Sequence, residues 1–148
     1  LCFALGFAIL GLVQLIQRKS FLKVDYSILV LGGFYILVIA SYLFFEKFVI
    51  NYRPVLIEGN LEASYPSSTT LLVLCIMPTA MMQLNTRIRN NTTKKVILSL
   101  LAIFTAFMVI GRLISGVHWF TDIIGGVLLS TGLVMLYYLV SSLSIHKD

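Results

Sequence analysis

Apolar residues along this chain gather into five long runs separated by short polar stretches: Leu1 to Ile16, Ile28 to Phe45, Thr70 to Leu84, Val96 to Ile110 and Ile123 to Leu143. The runs are continuous and lack the alternation over about ten residues that a membrane strand requires. A hydrocarbon core of ~30 Å is spanned by about 20 helical residues, and a few flanking residues bring most of the runs to that length. The pattern predicts an all-α fold, a polytopic transmembrane helix bundle with five helices in view. Leu1 to Ile16 is short and fits a truncated first helix, and the chain opens without Met inside that run. The expectation is a single domain over 1–148 whose first transmembrane helix lies upstream. No basic stretch precedes the first run, so it does not read as a signal peptide.

Composition agrees with that setting. Hydrophobic residues make up 59% of the chain and charged ones 11%, with a mean hydropathy of +0.98, whereas soluble domains carry about 25% charged residues. The few charges are unevenly placed. Arg18, Lys19, Lys23, Arg87, Arg89, Lys94, Lys95 and Lys147 fall in stretches on one side of the predicted membrane, and only Lys47, Arg53 and Arg112 on the other. The positive-inside rule makes the first side cytoplasmic, with the C-terminus on it. The net charge of +5 is then a topology signal. Nucleic acid is a poor partner for it, because the basic stretches are short and lack interleaved aromatics.

Ionisable residues beside a membrane span cost free energy unless paired, wetted or used. The stretch Gly111 to Asp122 holds Arg112, His118 and Asp122 between two apolar runs. If the last helix starts by Gly116, His118 and Asp122 share one of its faces. On the same predicted side, Arg53 precedes Pro54, which holds it extended and ends the second helix nearby. Tyr65-Pro66-Ser67-Ser68-Thr69-Thr70 opens the third helix, with Ser67 or Ser68 as its N-cap. Guanidinium groups and free N–H groups at a helix start both suit a phosphate.

In this order the residues resemble the type-2 phosphatidic acid phosphatase and haloperoxidase superfamily. Its motifs are Lys, six residues, Arg-Pro; then Pro-Ser-Gly-His; then Ser-Arg, five residues, His, three residues, Asp. Arg112, His118 and Asp122 keep the third spacing, with Gly111 in place of Ser. Arg53-Pro54 matches the first, although Lys47 leaves only five intervening residues. Pro66 and Ser67 match the second, which then departs: Ser68 stands for Gly and Thr69 for His. The resemblance implies a six-helix membrane fold of which helices two to six are in view, a phosphorylated membrane lipid as substrate, and no metal or cofactor.

The resemblance also implies roles. His118 attacks phosphorus to give a phosphohistidine, with Asp122 accepting a hydrogen bond from its other ring nitrogen. Arg53, Arg112, Lys47, Ser67 and Ser68 hold the phosphate. Thr69 stands where the general acid belongs, and losing such an acid costs about 10² to 10⁴ in rate. A lipid alcohol leaves as a strongly basic alkoxide, its conjugate acid about as weak as water, whereas a diphosphate expels a phosphate of second pKa ~6. Polyprenyl diphosphates are therefore the preferred substrates expected. Glu58 and Glu62, in the same outer stretch, are substitute acids or surface residues around a Gly59-Asn60 turn.

The expected protein is a cell-membrane lipid phosphatase or diphosphatase with its site on the non-cytoplasmic face. The alternative is a catalytically impaired relative that binds or transports phosphorylated lipid. An unrelated helical subunit would require the Arg112, His118 and Asp122 spacing to be chance. Remaining features read as structural. Cys2 and Cys75 are unpaired and His146 is solvated; Pro78 kinks its helix, and Gly6, Gly11, Gly125, Gly126 and Gly132 permit close packing. Tyr42, Tyr137, Tyr138, Trp119 and Phe120 are interfacial or packing aromatics.

Overall fold

The computed structural model describes residues 1–143; His146 and Lys147 lie outside them. Its helices are α1 (Cys2–Arg18), α2 (Tyr26–Lys47), α3 (Ser68–Arg87), α4 (Asn91–Ile114) and α5 (Phe120–Leu143), with a 3-10 turn at Phe21–Lys23. Apart from Leu1, which precedes α1, each contains one of the predicted runs and extends past it at one end or both, because the ladder continues through polar residues until a cap ends it. Asn90 begins α4 by accepting from the Thr93 N–H at 3.0 Å, and Ser67 caps α3. Among the described residues, α2 to α5 are long and apolar enough to cross a membrane, and α1, at 17 residues, is shorter. No described residue lies in a multi-residue strand. This is the architecture of a multi-pass membrane bundle, in which the spanning backbone groups are satisfied within their own helices apart from the bond that Pro78 cannot donate in α3.

Helix α3 is the centre. It packs on α5 and α4 and touches α1 and α2, while α4 lies at the periphery with few buried residues. Leu31, Phe34 and Val38 of α2 meet Leu71, Cys75 and Ala80 of α3 and Tyr137 of α5 in the core. The helix runs through Pro78, and the Thr79 hydroxyl donates to the Cys75 carbonyl at 2.7 Å. Cys2 and Cys75 are unpaired. The close approach of α5 to the start of α3 is made by two glycines. A Cβ on Gly125 would lie 2.3 Å from the Tyr65 ring, and one on Gly126 3.1 Å from Thr70. Gly11 is similarly tight against Ile28, but Gly6 and Gly132 face open space and close no helix contact.

The end predicted as cytoplasmic is clamped by polar pairs. Gln14 Oε1 accepts from the Asp25 N–H at 3.0 Å, and its Nε2 donates to Asp25 Oδ2 at 2.8 Å. Arg18 and Arg87 approach the same carboxylate at 3.0 and 3.6 Å. The Gln14 hydrogen bond, helped by these guanidinium groups, holds Asp25 below the usual carboxylate range.

Candidate active site

At the opposite end, residues 48–67 connect α2 to α3 as a narrow antiparallel loop. Tyr52 pairs with Ala63 and Ile57 with Asn60, and the turn passes through Glu58 and Gly59, both at positive φ. The Arg53 N–H donates to the Glu62 carbonyl at 3.1 Å and the Ser64 N–H to the Asn51 carbonyl at 2.8 Å. This register sets Arg53 opposite Glu62 and delivers Ser64 to the bundle. The other half of the site comes from the α4–α5 connection. Helix α4 extends to Ile114, so Arg112 lies in its last turn, and Gly116 at φ +69 then makes a bend that favours glycine.

His118 and Asp122 are brought together, though not by the expected helical spacing. Helix α5 starts at Phe120, after His118. Nδ1 of His118 is 3.5 Å from Asp122 Oδ2, beyond a good hydrogen bond. Ser64 closes the gap. Its hydroxyl donates to Asp122 Oδ2 in a short contact and lies 3.1 Å from His118 Nδ1, while its carbonyl is also 3.1 Å from that nitrogen. The expected direct bond from His118 to Asp122 is thus corrected to one relayed through Ser64. Asp122 is fully buried and also accepts from the Trp119 N–H at 2.9 Å and from Asn51 Nδ2 at 3.4 Å.

The tautomer of His118 follows from its partners. Arg112 Nη2 lies 2.9 Å from Nε2, and a guanidinium only donates. Nε2 is therefore the acceptor with its lone pair toward Arg112, and Nδ1 carries the proton to Ser64. Burial foremost, then Arg112 and Arg53, push the His118 pKa below its usual 6.5, against the opposing pull of Asp122 and the Ser64 carbonyl. The ring is a neutral, oriented imidazole.

A cavity of about 440 Å³ opens beside it, lined by His118, Ser64, Ser68, Arg53, Glu46 and Glu62 together with aromatic rings that include Tyr42 and Tyr65. Arg53 Nε is buried and lies 3.1 Å from Glu62 Oε2, but that oxygen is off the N–H direction, so the contact is an ion pair without an aligned hydrogen bond. Arg112 Nε is also buried without a partner. Both guanidinium groups retain donor capacity for an oxyanion.

Other expected residues fall differently. Lys47 ends α2, exposed and away from the cavity. Seven positions back from Arg53, with the six intervening residues that the first motif keeps after its Lys, lies Glu46, which does line it. The charge at that place is inverted. Ser67 is also corrected as a phosphate ligand: its hydroxyl caps α3 and its N–H donates to the Asp122 carbonyl at 3.0 Å. Ser68 lines the cavity in its stead. Thr69 is half-buried outside the lining, and of the two candidate acids Glu62 lines it and Glu58 does not. Ser64, Asn51 and Glu46 were not legible as site residues. Counting the first motif backward from Arg53 would have found Glu46, but no spacing marked Ser64 or Asn51.

Comparison with known proteins bears on the family and the fold. The PAP2 superfamily matches residues 46–145. The crystal structure of the first transmembrane PAP2 type phosphatidylglycerolphosphate phosphatase from Bacillus subtilis superposes with a TM-score of 0.61 at 23% identity, covering 96% of this chain and 68% of that one. The comparison with curated proteins gave no match.

Proposed function

Because this chain belongs to the PAP2 superfamily, we propose that it is an integral membrane phosphatase acting on a phosphorylated lipid through His118. The observation that carries this reading is the state of that residue. It is a buried neutral imidazole whose Nε2 lone pair meets a guanidinium and whose Nδ1 proton is held by Ser64 in front of Asp122. A phosphate arriving between Arg112 and the ring takes over the guanidinium donors and leaves Nε2 in line with phosphorus. Nε2 forms the N–P bond as the lipid oxygen departs, and the imidazolium charge that develops is stabilised by Asp122 through the Ser64 hydroxyl. Arg53, Arg112 and the N–H groups of Ser68 and Thr69 at the start of α3, unpartnered within the helix, offset charge on the equatorial oxygens. Water then hydrolyses the phosphohistidine.

Thr69 supplies no effective proton at neutral pH, so lipid diphosphates, whose leaving group needs none, are the class that depends least on an acid elsewhere in the site. Polyprenyl diphosphates are the natural members of it. The charge asymmetry of the loops supports a site on the non-cytoplasmic face and a cytoplasmic C-terminus. The test is phosphate release from lipid mono- and diphosphates by protein in detergent with EDTA present, beside His118→Ala. Turnover lost in that variant supports the reading, and equal release by both proteins refutes it. The second reading, a member that binds or moves phosphorylated lipid without turnover, is favoured by one observation, the Glu62 carboxylate already seated on Arg53. Saturable lipid binding that Arg53→Ala and Arg112→Ala abolish, with no turnover in any protein, would select it.

A further inference from the structure

We infer that Glu62 is the acid that protonates the leaving oxygen, and that the arriving phosphate, by displacing it from Arg53, makes it take up that proton from water. The inference rests on the phosphatase reading above and adds a catalytic residue to it. Glu62 and His118 line one cavity, whereas Thr69 does not. Glu62 is tied to the phosphate-binding side twice, by its carbonyl on the Arg53 N–H at 3.1 Å and by its carboxylate 3.1 Å from Arg53 Nε. The second tie is an ion pair without an aligned hydrogen bond, so a phosphate that aligns with the guanidinium displaces it readily.

The exchange changes the carboxyl. In the empty site Arg53 compensates its charge. Once the phosphate holds that guanidinium, a dianion stands beside the carboxyl, and two anions sharing a site favour the protonated form of one. The charged and titratable groups facing Glu62 are Arg53 and the phenols Tyr52 and Tyr65 on its own loop, Glu46 and Tyr42 on α2, and His118 before α5 with Arg112 of α4 behind it. Glu46 acts in the same sense as the phosphate, and Arg112 opposes it. Glu62 then donates its O–H proton to the lipid oxygen as the P–O bond breaks and the bond from His118 Nε2 to phosphorus forms. The products are the lipid alcohol, the phosphohistidine and the Glu62 carboxylate. In the second half the carboxylate takes a proton from the attacking water, the N–P bond breaks, and inorganic phosphate leaves.

The test compares a lipid monophosphate with a diphosphate of the same chain, using the full chain in detergent and the variants Glu62→Gln and Glu46→Gln. Glu62→Gln should lower kcat on the monophosphate about 100-fold or more, lower it less than about tenfold on the diphosphate, whose leaving group has a second pKa of ~6, and lower KM on both by freeing Arg53. Glu46→Gln should change both substrates alike. Should Glu62→Gln fail to fold, Glu62→Asp, one methylene shorter, should give the same substrate-selective loss. Equal loss on both substrates, or a gain on the monophosphate, overturns the role of Glu62 while His118-dependent turnover keeps the phosphatase reading. Release that His118→Ala leaves unchanged overturns both.

Discussion

Replacing Ser64 by Ala removes a single buried oxygen and should separate the nucleophile from its acid. Ser64 is 1% exposed, and its hydroxyl donates to Asp122 and stands 3.1 Å from His118 Nδ1. Without it the Nδ1 proton still has the Ser64 carbonyl at 3.1 Å, so the resting ring keeps its tautomer, but Asp122 is left 3.5 Å away. The loss is therefore felt most as positive charge grows on the ring. A hydrogen bond to a charged group contributes about 1.5–3 kcal/mol, which at 1.36 kcal/mol per decade corresponds to about 10- to 150-fold in rate. The fall should appear in kcat with KM little changed, because no substrate contact is removed. Steady-state phosphate release by Ser64→Ala, alongside Asp122→Asn, measures it. If Ser64→Ala keeps kcat within twofold while Asp122→Asn loses orders of magnitude, the relay is refuted and Asp122 reaches the ring without it.

Other outcomes follow from the same geometry. Burial and the two arginines hold His118 below 6.5, so kcat/KM should stay level down to about that pH and fall only below it; Arg112→Ala should move this limb to higher pH in a pH–rate profile. The same shift makes stability fully present above 6.5, where the unfolded chain titrates, and lost as the pH falls from there through the lower folded value, as thermal unfolding in detergent would register. Arg53→Ala should raise KM for lipid phosphate about 10- to 150-fold, the equivalent of about 1.5–3 kcal/mol for a charge-assisted hydrogen bond, and an unchanged KM would remove Arg53 from the phosphate site. Gly125→Val should lower the unfolding midpoint by the equivalent of about 1–3 kcal/mol of overpacking, since even a Cβ there meets the Tyr65 ring at 2.3 Å; a stable, fully active variant would show that Tyr65 yields freely.

The helices, the unequal loop charges and the order of Arg53, Arg112, His118 and Asp122 were all present in the sequence by itself. They depend on local rules: an apolar run in a membrane must satisfy its own backbone, and a motif spaced along a few residues needs no distant partner to be seen. Tertiary structure decided what the site is made of. Ser64 meets His118 from 54 residues away, which only the register of the 48–67 loop and the packing of α3 on α5 could arrange. The exchange of Lys47 for Glu46 at the cavity wall depends on the rotation of the last turn of α2, where neighbouring residues point about 100° apart. Ser67 was read as a phosphate ligand because its sequence neighbours suit one, but its hydroxyl caps α3 and its N–H meets the Asp122 carbonyl. Side-chain types along a chain name the chemistry available, and the folded contacts determine which groups can perform it, because a buried donor or acceptor held by a protein partner serves a substrate only where the substrate can reach it and displace that partner.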